Sequence, residues 1–301
     1  MKTYDVIIIG GGPAGLTAAI YSARYQLKTL VLSKDMGGIA ATAHKICNYP
    51  SYTDISGMQL MLKFIAQVED LKVPINYEEV LEISRKKHEF LVKSVKAEYK
   101  AKKIIFTGGA VRQKLNVPGE KEFLGKGVSY CATCDATFFK DKTVAVVGGS
   151  DAALTAALLL SEYAKRVYII YRKDKFFRAE PTWIELVEKN KKIKIIFNDE
   201  ITEIKGDNFV TEITLKSNKA QKVQGVFIEI GSTPKLTLID DLNVRKTDRG
   251  YILTDDHQKT NVEGLLAAGD ITNKPLKQIV TAAAQGATAA YTAYEEIKHD
   301  D

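Results

Sequence analysis

Two cysteines three positions apart, Cys131 and Cys134, with an acid directly behind them at Asp135, are the residues of this chain best suited to do chemistry. On one helical turn the two sulfurs share a face and can bridge. A helix N-terminus at such a turn favours the thiolate, and a carboxyl beside a dithiol can exchange protons as thiolate and disulfide interconvert. A zinc site built on the same pair needs two further ligands. The remaining cysteine is Cys47, the histidines are His44, His88, His257 and His299, and none of them makes a second spaced pair. The spacing is therefore read as redox-active, with a structural pair as the other reading, and no metal is expected. Cys47 is expected to be a buried apolar residue, with a third redox thiol as the other reading.

The glycines point to a second chemistry. Gly10-Gly11-Gly12-Pro13-Ala14-Gly15 follows an apolar run at residues 5–9 and precedes an Ala-rich helical pattern at 16–25, after which 29–32 reads as another buried strand. In such a βαβ unit Gly10 makes the tight turn, Gly12 lets the backbone approach a pyrophosphate, and Gly15 permits close helix–strand packing. The helix N-terminus then receives the phosphates. Where an acid is expected for the ribose, the chain has Ser33-Lys34-Asp35, so Ser33 or Asp35 is the candidate contact.

The same design recurs at strand 143–147, turn Gly148-Gly149-Ser150-Asp151-Ala152-Ala153, helix 154–163 and strand 166–171. Here Ser150 stands at the second glycine position, where a side chain obstructs a pyrophosphate. Arg172 and Lys173 follow the second strand, where basic residues suit a 2′-phosphate. The alternative for this pair is a solvated strand end.

These turns need elements to hold them. Two βαβ units so far apart imply an α/β protein of two three-layer Rossmann-like domains. Glycine–proline breakers at Val117-Pro118-Gly119 and Gly231-Ser232-Thr233-Pro234 mark the boundaries. Residues 264–293 return to an apolar strand, Gly269-Asp270 and an Ala-rich helix without a third glycine fingerprint. The second domain is thus read as inserted into the first, with boundaries at 1–113, 114–236 and 237–301. No apolar run approaches the ~18 residues of a membrane span, and an apolar strand begins at Tyr4, so a cytoplasmic protein is expected. The net charge of +6 comes from interleaved basic and acidic residues rather than from a block, which argues against a nucleic-acid partner.

Taken together, these strings resemble the low-molecular-weight thioredoxin reductases over nearly the whole chain. The matching residues are Gly10–Gly15, Asn48-Tyr49-Pro50, Thr107-Gly108, Pro118-Gly119-Glu120, Cys131-Ala132-Thr133-Cys134-Asp135, Gly231 with Pro234, the run from Thr260 to Asp270, and Lys277-Gln278-Ile279. The resemblance implies an FAD domain made from both chain ends, an inserted nicotinamide domain that rotates, and a homodimer. It implies an FAD site formed by Gly10, Gly12, Pro13, Ala14, Gly15, Ser33, Lys34, Gly38, Asn48, Thr107, Gly108, Gly269, Asp270, Gln278 and Ile279. In it Asp270 holds the ribityl chain, and Gln278 and Ile279 lie near the flavin ring. It makes Cys134 the flavin-side thiol, Cys131 the thiol that attacks a thioredoxin-like or glutaredoxin-like partner, and Asp135 the proton donor and acceptor. The NADPH site would use Gly148, Ser150, Asp151, Ala152, Arg172, Lys173 and Arg178.

The chain departs from the family at several points. Ile39 replaces the usual Gln, Lys277 an Arg and Ala136 a Gly. Thr155 and Ala156 stand where the family has paired glutamates, and the basic string from Tyr171 to Ala179 is one residue too long before Arg178. NADPH is the first-choice electron donor because the basic pair survives, with a ferredoxin or a deazaflavin second. A dithiol oxidase that passes electrons to oxygen is the rival enzyme class, and a flavin or nucleotide sensor the non-enzymatic one.

Overall fold

The computed structural model describes residues 2–234 and 236–300. It divides into two compact units, one of Met1–Ala41, Ile46–Val111 and Thr233–Asp301, the other of Thr42–Lys45 and Arg112–Ser232. Val117-Pro118-Gly119 lies inside the second unit. There Gly119 sits so close to the strand Ile201–Gly206 that a Cβ would stand 2.0 Å from the Ile204 carbonyl oxygen.

The first unit is organised by the strand Lys2–Gly11, which pairs in parallel with Thr29–Met36 on one side and Glu98–Phe106 on the other. Val6, Ile7, Ile8 and Leu30 to Leu32 are essentially inaccessible to water. Burial on both faces explains why these strands read as unbroken apolar runs rather than alternating ones. Glu98–Phe106 is shared lengthwise: its first half pairs antiparallel with Glu89–Ser94, and Ile104 to Phe106 pair in parallel with Leu265–Ala267. The C-terminal strand thereby joins the sheet begun at the N-terminus. The helices Pro13–Arg24 and Ile279–Asp300 pack against each other through Gly286, where a Cβ would lie 2.0 Å from the Ala14 carbonyl oxygen. Buried Lys103 fixes the long helix to the sheet by an ion pair with Glu296 at 3.0 Å, and Lys259 adds a second at 2.9 Å.

The second unit holds a five-stranded parallel sheet in the order Ile193–Phe197, Arg166–Tyr171, Thr143–Val147, Gly225–Ile228, Val128–Ser129. The helices Asp151–Tyr163 and Pro181–Lys189 contact each other, and a separate antiparallel sheet is formed by Ile201–Gly206, Val210–Leu215 and Ala220–Lys222. Both units carry the parallel βαβ arrangement of a two-domain, Rossmann-type α/β protein. No helix among the described residues is long and apolar enough to cross a membrane.

Candidate active site

The dithiol occupies one short turn. Ala132–Asp135 is a helix of four residues capped by Cys131 and continued by a 3₁₀ turn at Ala136–Phe139. Cys131 and Cys134 are joined as a disulfide across a Cα–Cα distance of 5.3 Å. The Cys134 backbone N–H donates to Cys131 Sγ at 3.2 Å. Ser129 Oγ accepts the Cys131 N–H at 3.0 Å, and Asp135 N–H donates to the Cys131 carbonyl at 3.2 Å. Cys131 is half-buried and Cys134 exposed. Exposure alone would make Cys134 the outward thiol. The N–H aimed at Cys131 instead prepares that sulfur to carry negative charge once the bridge opens. Cys47 is exposed, not buried as expected. It lies between two short isolated bridges, at Ile46 and Tyr49, and outside the named strands, so no sheet face covers it.

The first glycine turn shows a division of labour. A Cβ on Gly10 would stand 2.2 Å from the Thr107 carbonyl oxygen, and one on Gly15 would stand 1.9 Å from the Gly10 carbonyl oxygen. A Cβ on Gly12 would meet nothing within 4 Å. Two glycines are therefore fixed by packing, and the middle one faces open space. Thr107 locks the turn by donating to the Ile9 and Gly10 carbonyls at 2.9 and 3.0 Å. Pro13 takes the first helical position, where its missing N–H costs nothing.

Ser33 has its hydroxyl committed to this turn: it accepts the Gly11 N–H at 2.9 Å and donates to the Asp35 carbonyl at 2.5 Å. Its oxygen keeps a second lone pair for a ribose hydroxyl, so half-buried Ser33 and exposed Asp35 both stay ribose candidates, while Lys34 pairs with Glu79 at 3.4 Å. Gly38 lies beside Gly12, 3.5 Å from a built Cβ to the Gly12 Cα. Gly269, held by Gln285 at 2.8 Å, packs against Ala14. Asp270, next to it, is exposed by surface area, yet burial pushes its carboxyl up and Lys277 only partly opposes this. Asn48 Nδ2 donates to Gln278 Oε1 at 3.3 Å, and Ile279 opens the long helix directly after. The first unit thus gathers Gly12, Gly38, Gly269 and, separately, Asn48 with Gln278. Gln285 and Gly286 went unread; their only signal is a polar residue and a glycine interrupting an Ala-rich helix.

The second turn is built differently. Gly148 is as tight as Gly10, with a Cβ 2.2 Å from the Glu229 carbonyl oxygen. Gly149 lies against the Tyr171 ring. Ser150 is half-buried at the N-cap of Asp151–Tyr163 without a capping hydrogen bond, and its backbone bridges to Arg178. Asp151 accepts the Glu180 N–H at 2.7 Å, and burial followed by Glu180 pushes its carboxyl up against that bond. Ala152, Arg172, Lys173 and Arg178 are exposed, and Lys173 Nζ lies 4.9 Å from the centre of the Phe177 ring. Thr155 hydrogen-bonds the Asp151 carbonyl, and Ala156 is buried.

Glu229 is a buried carboxyl that sequence reasoning missed. It directly follows the strand Gly225–Ile228 and accepts from Arg112 Nη1 at 2.6 Å. Burial raises its pKa to about 7 although Arg112 pulls the other way. A carboxyl raised on folding binds protons more readily in the native chain. Its stabilising protonation is complete below the ordinary carboxylate range and is lost as pH rises towards 7. Glu229→Gln should therefore flatten the decline in unfolding free energy between about pH 4.5 and 7, by up to roughly 3 kcal/mol. Denaturant melts across that range measure it; an unchanged slope contradicts the assignment.

The chain matches the pyridine nucleotide-disulphide oxidoreductase family model over residues 4–286. It is 41% identical to the thioredoxin reductase of Peptoclostridium litorale, with 99% of this chain and 98% of the relative aligned. Its fold superposes on the crystal structure of Lactococcus lactis thioredoxin reductase with a TM-score of 0.95, at 38% identity and 98% and 99% coverage. The ferredoxin-flavin thioredoxin reductase of Clostridium acetobutylicum is 33% identical and aligns over 99% of both chains with a TM-score of 0.56.

Proposed function

The chain belongs to the pyridine nucleotide-disulphide oxidoreductase family, among its low-molecular-weight thioredoxin reductases, and from that we propose that it reduces the disulfide of a thioredoxin-like protein through its own Cys131–Cys134 pair. The observation that carries this reading is the disulfide on a single helical turn with Asp135 one residue behind it. In the reduced state Cys131, as thiolate, attacks one sulfur of the partner's disulfide and forms a mixed disulfide. Cys134 then attacks Cys131, which restores the Cys131–Cys134 bridge and releases the partner as a dithiol. Two electrons pass to the partner, and the protons its sulfurs take up come from Cys134 and from Asp135 or solvent.

The first unit fits FAD: Gly12 is open where a pyrophosphate would approach, and Asp270 stands beside Gly269, which packs on the same turn. Gly10, Gly12 and the N-terminus of Pro13–Arg24 would hold its phosphates, Ser33, Asp35 and Asp270 its hydroxyls, and Asn48, Gln278 and Ile279 its ring end. When bound, FAD supplies a two-electron carrier for the disulfide. The second unit fits NADPH less well, because Ser150 fills the position that Gly12 leaves open. We retain NADPH as first-choice donor on the strength of Arg172 and Lys173. A homodimer and a cytoplasmic setting belong to the same proposal and rest on the family likeness.

The test is direct. Purified protein should be yellow, and anaerobic reduction of its flavin by dithionite should be followed by reduction of added thioredoxin. Oxygen consumption with a small dithiol, without thioredoxin turnover, would favour the oxidase instead. Gly15→Ala should leave the protein largely free of FAD, since the new Cβ would stand 1.9 Å from the Gly10 carbonyl oxygen and 2.7 Å from Thr107 Oγ1. A fully yellow Gly15→Ala protein would place the cofactor elsewhere.

A further inference from the structure

A second set of polar contacts reaches the dithiol turn from residues that the disulfide chemistry does not use. Arg112 divides its guanidinium between two acceptors, donating from Nη1 to Glu229 Oε2 at 2.6 Å and from Nη2 to Thr42 Oγ1 at 2.9 Å. Thr42 belongs to the second unit, and its carbonyl accepts the Thr133 hydroxyl at 2.8 Å. Thr133 is the residue just before Cys134 in the turn. Glu229 is only 8% exposed, and its carbonyl packs against Gly148 directly after the inner strand Gly225–Ile228. The anchor of the chain of contacts is therefore stiff, and its first bond is charge-assisted.

We propose that Arg112, acting through Thr42 and the Thr133 hydroxyl, is a positioning residue that holds the Cys131–Cys134 turn in helical form. A helix of four residues does not hold itself in water, and Ala132–Asp135 is that short. The Cys134 N–H reaches Cys131 Sγ only while the turn stays wound. That N–H, aimed at the sulfur, stabilises a thiolate on Cys131. Loosening the turn at Thr133 removes it, so the Cys131 thiol becomes harder to ionise without any change to either cysteine.

This rests on the redox reading of the pair, but its test does not depend on turnover. The FAD-bound full chain carrying Cys134→Ser leaves Cys131 as the thiol of the turn. Alkylation of Cys131 by iodoacetamide is followed against pH, with the site of modification assigned by mass spectrometry to separate it from Cys47. Thr133→Val and Arg112→Met, each added to this background, should move the Cys131 titration to higher pH and slow alkylation at neutral pH by about 2- to 5-fold. Thr133→Ser should behave like the parent, and the Arg112→Met/Thr133→Val combination should fall no further than either alone. Flavin content and melting temperature serve as controls for the fold. If Arg112→Met does not fold, Thr42→Val, which replaces the hydroxyl that accepts from Arg112 with a methyl, carries the same expectation. An unmoved titration in the folded Arg112 or Thr42 variant, or additive effects in the combination, overturns the proposal. Loss of thioredoxin reduction in the wild-type chain would instead count against the redox reading, whatever the alkylation shows.

Discussion

Cys134→Ser should reduce turnover with a protein disulfide by at least about 10³-fold while the flavin stays bound and reducible. With Ser at 134 no thiol of this turn remains to resolve a mixed disulfide on Cys131, so a partner with a single cysteine, activated as a mixed disulfide with a small leaving thiol and hence without a second thiol to reverse the attack, should be trapped at one molecule per active chain. Cys131→Ser should stop turnover equally but for a different reason: the thiol prepared by the Cys134 N–H is gone. Cys134 is then free to form a charge-transfer band against oxidised flavin, visible as long-wavelength absorbance. Because the two thiols act as a unit, the double variant should be no slower than either single one. Trapping is the discriminating readout. A trapped partner with Cys134→Ser and none with Cys131→Ser assigns attack to Cys131. The reverse pattern would follow exposure instead, since Cys134 is the more accessible sulfur. Full activity in both single variants would remove the dithiol from the reaction altogether.

How much of this was legible in the sequence depended on whether the cause was local. The strands Thr143–Val147 and Arg166–Tyr171 end where they were read, because each is an apolar run bounded by breakers or charges. The strand read at residues 5–9 extends over Lys2–Gly11 because Lys2, Thr3 and Tyr4 pair with Tyr99, Lys100 and Ala101, a partner about a hundred residues away. The helix read from residue 16 starts at Pro13, inside what looked like turn composition. Proline breaks helices within but is pre-set for their first position. The dithiol was visible as spacing. What holds it was not, because Thr42, Arg112 and Glu229 have no periodicity in common and meet only after folding. Ser33 illustrates the converse: its type suits a ribose, and folding shows a second use that composition could not, since its hydroxyl also braces the glycine turn.

NADPH should reduce the flavin faster than NADH, yet bind weakly. The preference follows from Arg172 and Lys173, which are exposed after the strand Arg166–Tyr171 and can pair with a 2′-phosphate that NADH lacks. Lys173 must first leave the Phe177 ring, on which its ammonium rests at 4.9 Å, and that contact is worth about 0.5–1 kcal/mol at an exposed site. The weakness follows from Ser150, whose half-buried side chain stands where the first turn keeps Gly12 clear. One lost phosphate contact of ~1–3 kcal/mol costs a factor of ~5 to 150 in affinity. Ser150→Gly should recover part of that factor for both nucleotides. Arg172→Ala should weaken NADPH alone, leaving NADH unchanged. Calorimetric titration of the oxidised protein separates these binding effects from flavin reduction, which anaerobic absorbance follows. If neither nucleotide binds at millimolar concentration, even with Ser150→Gly, then the second turn is a nucleotide fold without its nucleotide. Arg172 and Lys173 are then surface charges or a docking patch, and the electrons come from another carrier. Reduced ferredoxin, the second-choice donor, is then the one to add next to the same anaerobic cuvette.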